Sequence, residues 1–280
     1  MEAELGEGPI WLGETASLWF VDIKRGALHR FHPATGAHDT LAVGGRPSFI
    51  VPTEDGTLLV GDGNAIRPLR GRVLGEAVLR VDMPAGNRTN DATVDRAGRL
   101  WFGTMDESER AASGAVHLFT GGTPTVAGGH SVITNGPAVS PDGRWLYHVD
   151  TLERTIWRFD IRDRDTLVDG EVFARIDGAD GNPDGVTIDA AGCLWVALWG
   201  GWQVRRYSPD GVQLASVSLP CAHVTKIAFG GEHLRTAYVT TACAGLSPGD
   251  RAAQELAGGL FAFEVETSGL PTGRVRMGGG

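Results

Sequence analysis

Six polar residues recur at one place in a repeating pattern, and most are of types that bind hard cations. Ser48, Asn90, Asn135, Asp184 and Lys226 each stand eleven residues ahead of an apolar landmark (Leu59, Trp101, Leu146, Trp195 and Ala237), and Glu7 stands twelve ahead of Trp19. Glu7, Asn90, Asn135 and Asp184 offer oxygen donors, the chemistry of a hard divalent cation. Glu7 and Asp184 together would neutralise its two charges. Three or four protein oxygens would leave coordination positions open for water and substrate, the layout of a catalytic metal rather than a closed structural one. Glu7, Asn135 and Asp184 are the expected ligands. Taken singly, Asn90-Asp91, Asn135-Gly136 and Asp184-Gly185 read as turn dipeptides. Their common place in the repeat argues against turns, which do not predict matching donors on one rim.

The repeat that places these residues consists of a short apolar strand, a turn rich in Asp and Gly, an aromatic-aliphatic strand and a third strand. It reads PIWLGETASLWFVDI, FIVPTEDGTLLVGD, ATVDRAGRLWFGTMD, PAVSPDGRWLYHVDT, VTIDAAGCLWVALWG and KIAFGGEHLRTAYVTTA, with landmark steps of 40, 42, 45, 49 and 42 residues. Asp-Gly, Ala-Gly and Gly-Gly pairs are hairpin punctuation. Units of this length, each a meander of three or four strands, predict an all-β fold, a six-bladed β-propeller forming a single domain over 1–280. A WD40 propeller is excluded because no Trp-Asp pair occurs, and the Gly-Gly doublets keep no fixed place, as kelch repeats would require. The first strand of each blade lines the channel, so the six polar positions form a ring at one mouth. Trp19, Trp101, Trp145 and Trp195 then read as core between blades. Asp22, Asp106 and Asp150, which recur after the second strand, read as acceptors for turn amides. Gly8, Gly136 and Gly185 directly follow ring residues and are expected to turn the chain there.

Composition narrows the function classes. The 280 residues include 41 glycines without a Gly-X-Y period, and 42% hydrophobic content with eight tryptophans excludes a disordered chain. A net charge of −9 with no basic stripe argues against a nucleic-acid partner. No apolar run is long enough to span a bilayer, and the N-terminus lacks the marks of a signal peptide. Cys193, Cys221 and Cys243 are odd in number without a C-x-x-C pair, which fits a reducing, cytoplasmic setting. A monomer or weak homo-oligomer is expected, with no membrane or nucleic-acid partner.

Five segments in order, LGEGPIW, GNRTNDATVDRAGRLWFGTM, TNGPAVSPDGRWLYHVDT, GNPDGVTIDAAGCLWVALWGG and VTKIAFGG, resemble the family of senescence marker protein-30 (regucalcin), gluconolactonases and luciferin-regenerating enzyme. The resemblance runs from about residue 5 to 265. It implies a six-bladed propeller with one divalent metal in the channel, held by Glu7, Asn135 and Asp184, and it places Arg88 and Asn90 on the substrate. Two departures stand out. Mammalian members have a substrate-contacting acid just after the GTM segment; here Ser108 takes that place, beside Asp106, Glu107 and Glu109, and Glu107 is assigned to the substrate. Lys226 stands where relatives often have a small residue and reads as a lysine snorkelling along the rim. The N-terminus is short, so the outer strand closing the ring is expected to come mostly from the C-terminal segment.

The resemblance implies hydrolysis of a small-molecule sugar lactone, such as gluconolactone, xylonolactone or arabinonolactone, with a Ca, Zn, Mn, Mg or Fe(II) ion as cofactor. Asp184 would both ligate the metal and accept the proton of the attacking water. Arg88 would hold the carbonyl oxygen, and Asn90 would meet sugar hydroxyls. No G-x-S-x-G elbow, H-E-x-x-H, phosphate loop or dinucleotide fingerprint offers another catalytic plan. His130 and His223 read as ordinary loop histidines, and Trp199 and Trp202 as candidates for stacking on a sugar. Two alternatives remain: a non-catalytic calcium-binding propeller, which would tolerate loss of Arg88 and Asn90, and a metal-dependent esterase of broader range, which would carry an apolar rim.

Overall fold

In a computed structural model describing residues 2–278, six antiparallel sheets succeed one another along the chain. Their inner strands are Gly6–Leu12, Pro47–Pro52, Asn87–Val94, Thr134–Val139, Asn182–Ile188 and Val224–Gly230. Each packs against the next, and the first packs against the last. The all-β, six-bladed propeller expected from the repeat is therefore the observed fold. The one α-helix among the described residues, Pro248–Ala253, lies within the connection between the last two strands.

Blades cohere because both faces of the middle strands are apolar. In Leu100–Asp106, Leu100 and Phe102 pack with Phe49, Val51 and Ile66 of blade 2, while Trp101 packs with Val139, Leu146 and Ile161 of blade 4. Successive side chains point to opposite faces, and a sheet sandwiched between two others must be apolar on both. That is why the repeat shows no polar alternation here. Trp19, Trp101 and Trp195 are buried as expected. Trp145 meets its expectation only in part. It lies one residue before the landmark Leu146, hence on the other face, where it packs against the core between blades 4 and 5 but is only partly buried, with Arg144 and Arg158 at 4.5 and 4.8 Å from its ring.

The Asp-x-x-Gly turns at the end away from the ring are built around the aspartate. Fully buried Asp189 accepts hydrogen bonds from the amides of Ala191 and Cys193 (both 3.0 Å), from Trp195 Nε1 (3.0 Å) and from Arg206 Nε (2.8 Å). Asp95 repeats the arrangement with Ala97, Arg99 and Trp101. One carboxylate thus ties a turn to an inter-blade tryptophan.

Ring closure differs from expectation. Blade 6 has three strands, and the C-terminal segment does not complete it. At the ring end, the N-terminus joins blade 6 instead, through an Leu5–Ala242 bridge and hydrogen bonds from the Ala244 amide to Glu4 O (2.8 Å) and the Ala3 amide to Gly258 O (2.8 Å). The chain after blade 6 crosses the opposite end as a strap. It bonds Leu234, Ala190, Trp11, Pro52 and Gly98, and so touches blades 6, 5, 1, 2 and 3. Leu270–Gly273 lie across a channel cavity of about 450 Å³. The strap's bonds tie five blades together, whereas one extra edge strand would tie only two.

Replacing Asp189 with Ala would leave Arg206, an indole N–H and two amides without their acceptor. Asp189→Ala is expected to cost about 3 kcal/mol or more in urea denaturation, with the m-value unchanged.

Candidate functional site

The counted ring is a structural ring. Across the ladders the landmarks face Ile10, Val51, Thr93, Val139, Thr187 and Phe229. Glu7, Ser48, Asn90, Asp184 and Lys226 stand three residues before these positions and Asn135 four before. None of Asn90-Asp91, Asn135-Gly136 or Asp184-Gly185 is a turn; all lie inside inner strands. Every inner strand slips register at this level, between Glu7 and Ile10, Pro47 and Phe49, Thr89 and Ala92, Asn135 and Ala138, Pro183 and Val186, and Val224 and Lys226. A bulge inserts one residue into a strand and re-aims its side chains. Here it sets adjacent polar residues, Asn90 and Asp91, both into buried contacts of the channel. Gly136, at φ 69°, takes the left-handed conformation that such a bulge asks of glycine.

A chain of hydrogen bonds links the expected substrate and metal residues. Arg88 Nη1 donates to Asn90 Oδ1 (2.7 Å) and to Thr89 O (3.0 Å), and Asn90 Nδ2 donates to Asn135 Oδ1 (2.9 Å) and Thr134 O (2.8 Å). Asn135 Nδ2 donates in turn to Thr151 Oγ1 (3.0 Å), which fixes the amide with its oxygen on the channel side of the relay. Both N–H bonds of Asn90 are therefore engaged within the protein. It positions Arg88 and Asn135 and keeps a single lone pair on Oδ1 for a ligand. Arg88 is 7% exposed, and its Nε lies 2.6 Å from Oε2 of the more exposed Glu107 at the mouth. Glu107 also lies 3.5 Å from Arg46. Ser108, in contrast, is turned into its own loop, donating to Asp106 Oδ2 (2.6 Å). Asp106 also accepts the amides of Ser108, Arg110 and Ala111, and Asp22 and Asp150 likewise accept turn amides.

The two ring carboxylates have few donors. Glu7 is buried and accepts only the amide of Gly8 (3.0 Å), and among the described residues no side chain or backbone group donates to Asp184. Burial first, then the negative charge of Asp91, pushes Glu7 up to about 7. Burial, followed by the charges of Glu7 and Asp91, raises Asp184 well above the usual carboxylate range. Lys226 and Arg88 oppose both shifts. Two buried carboxylates that share a single amide donor, together with the Asn135 amide oxygen, are the groups that could hold a divalent cation. Among the described residues no group of three or more His, Cys, Asp or Glu side chains is gathered for a metal, so the amide of Asn135 is needed to complete the set.

Ser48 is satisfied within the wall by Thr89 Oγ1 (2.8 Å) and faces no carboxylate partner. Lys226 overturns its expectation as a rim lysine: it is 6% exposed and paired with Asp91. The physical reason is burial, which obliges an ammonium to find a counter-charge. Asp91 is thus the residue that sequence reasoning passed over. Its signal was a cation at a ring position three blades away, which demands an anion opposite. Gly185 does not turn the chain; it makes room for the Lys226 stem. Trp199 is half-buried with its face covered by His223 (ring centroids 3.9 Å, planes 9° apart), while Trp202 is exposed and His130 lies at the surface.

Glu7 retains its proton in the folded, metal-free chain at pH values where the unfolded chain has lost it. Its contribution to stability therefore falls as pH rises from about 4.5 to about 7. In the presence of a chelator, the Tm of Glu7→Gln relative to wild type is expected to rise through this window and level off above it.

The model of the SMP-30/gluconolactonase/LRE-like region matches residues 5–243. The chain is 36% identical to pentonolactonase XacC of Haloferax volcanii, over 98% of this chain and 96% of that protein. It is 34% identical to 6-deoxy-6-sulfogluconolactonase of Pseudomonas putida, over 95% and 92% of the two. Among solved structures, the calcium-binding protein regucalcin of Agrobacterium tumefaciens superposes with a TM-score of 0.93 at 29% identity, covering 99% of this chain and 95% of that one.

Proposed function

Because the chain belongs to the SMP-30/gluconolactonase/LRE-like family, we propose that it is a metal-dependent hydrolase that opens a sugar lactone to its aldonic acid at the ring mouth of the propeller. The observation that carries this reading is the pair of buried, donor-poor carboxylates, Glu7 and Asp184, set against the Arg88–Asn90–Asn135 relay. The names of the relatives, which include an L-arabinolactonase of Azospirillum brasilense, support an aldonolactone as the substrate class.

Glu7, Asn135 and Asp184 would hold the cation, and a set made wholly of oxygens suits a hard ion. When bound, such an ion supplies Lewis acidity toward the lactone carbonyl and a more acidic water. The chain's own residues do the rest. Asp184 carries a carboxylate to which no described group donates, so one of its oxygens is free to take the proton of the attacking water. Arg88 has no recorded bond from Nη2 among the described residues. Its guanidinium is anchored through Nη1 and Nε, which leaves Nη2 to donate to the carbonyl oxygen as negative charge develops. Glu107 holds that guanidinium from the solvent side, and its exposed carboxylate would meet incoming sugar hydroxyls. The walls that bury Glu7 and Asp184 also keep bulk water from the developing charge.

A pH-stat assay against glucono-, xylono-, arabinono- and galactonolactone is expected to show turnover that disappears with chelator and returns with a divalent ion. No metal-dependent rate above spontaneous hydrolysis on any of the four would reject the reading. Asp184→Asn is expected to lower kcat about 10³-fold with the propeller folded by circular dichroism. Arg88→Ala should lower kcat about 10²-fold while calorimetry shows metal affinity unchanged; loss of metal binding in this variant would instead make Arg88 structural.

A further inference from the structure

Lys226 lies on the inner strand of blade 6, between blade 5, which carries Asp184, and blade 1, which carries Glu7. Its nearest ring neighbours on both sides are therefore carboxylates. Its ammonium is nevertheless paired with Asp91, on blade 3, directly across the channel in a ring of six. Both partners are buried, with side chains 8% and 4% exposed. The local sequence accommodates this reach. A Cβ on Gly185 would come within 2.6 Å of both Cβ and Cγ of Lys226, so only glycine after Asp184 lets the lysine stem pass. The bulge at Asn90-Asp91 aims Asp91 inward beside Asn90. Asp91 receives the Ala92 amide at Oδ1 (2.8 Å), whereas its buried Oδ2 has no partner.

We propose that Asp91 is a positioning residue that holds the ammonium of Lys226 away from Glu7 and Asp184, so that these carboxylates stay open to a divalent cation. The proposal rests on the metal-binding reading of Glu7, Asn135 and Asp184. A buried ammonium must pair with an anion, and a tethered one is a permanent competitor for any mobile cation. The strand that carries Lys226 packs directly against the strands that carry Glu7 and Asp184, which puts the competitor next to both. The charge balance is simple. With Glu7, Asp91 and Asp184 ionised, the site carries three negative charges and the one positive charge of Lys226. The same net charge results when Asp91 and Lys226 are both neutral. Removing Asp91 alone cuts the net negative charge and frees the competitor.

The test is a double-mutant cycle read by isothermal titration calorimetry with Ca²⁺, Mn²⁺ and Zn²⁺ in turn, with Tm in chelator as the folding control. Asp91→Asn is expected to weaken the tightest-binding ion by roughly tenfold or more. Adding Lys226→Met to Asp91→Asn is expected to restore affinity to within about threefold of wild type, and Lys226→Met alone should not weaken it. The double variant replaces a buried ion pair by two neutral groups, a change proteins commonly tolerate, so it keeps the test valid if a single variant unfolds. Equal affinity in wild type and Asp91→Asn overturns the proposal. A double variant as weak as Asp91→Asn also overturns it, because Asp91 would then matter for its own sake. No binding of any ion to the wild type rejects the metal reading itself, and the proposal with it.

Discussion

Everything at the mouth of this propeller answers to one constraint, which is negative charge confined among buried side chains of a closed ring. Closing six blades into a ring brings Glu7, Asp91 and Asp184 from blades 1, 3 and 5 toward one axis. Each is buried, and each carboxyl is raised by the loss of solvent before any neighbour acts on it. Such a site is costly to build. Arg88 and Lys226 are the cations inside it, and Glu107 in turn holds Arg88 in place.

The stability that tolerates this arrangement comes from the blade interfaces rather than from the channel. Trp101, Phe102, Leu146 and Val196 are buried on faces shared by adjacent blades. The strap across the far end bonds five blades. A rigid periphery of this kind lets strained and desolvated groups persist at the centre, because no single strand can move away without disturbing its neighbours.

The inner strands connect periphery and site through their bulges. An unbroken strand alternates inward and outward side chains, which would give each blade one polar residue at a given level and send its neighbour into the apolar interface. The slip at the ring level relaxes this rule. It accounts for Asn90 and Asp91 both making channel contacts, one organising the relay to Asn135 and the other receiving Lys226. Repetition of the slip in all six strands is what makes the ring a level surface of donors.

The sequence by itself determined the fold class, the blade count and the ring. Hairpin signals and paired landmarks report local geometry, and six similar units closing on themselves leave little freedom. The ring positions of Glu7, Asn90, Asn135 and Asp184 were legible for the same reason, whereas Arg88 lies off the repeat position and came only from the resemblance to the family. Partner choice was not. That Lys226 crosses to Asp91 rather than lying on the rim, that both donors of Asn90 are engaged, and that Gly185 yields space to a lysine from another blade all depend on contacts between residues 40 to 140 positions apart. The role of the C-terminal segment as a strap was equally hidden, since most of its bonds to the blades are backbone to backbone and leave little side-chain signature. Local patterns record what a residue can do; only the closed ring decides which distant charge or carbonyl it meets, because in a dry interior each polar group must take the partner that the packing provides.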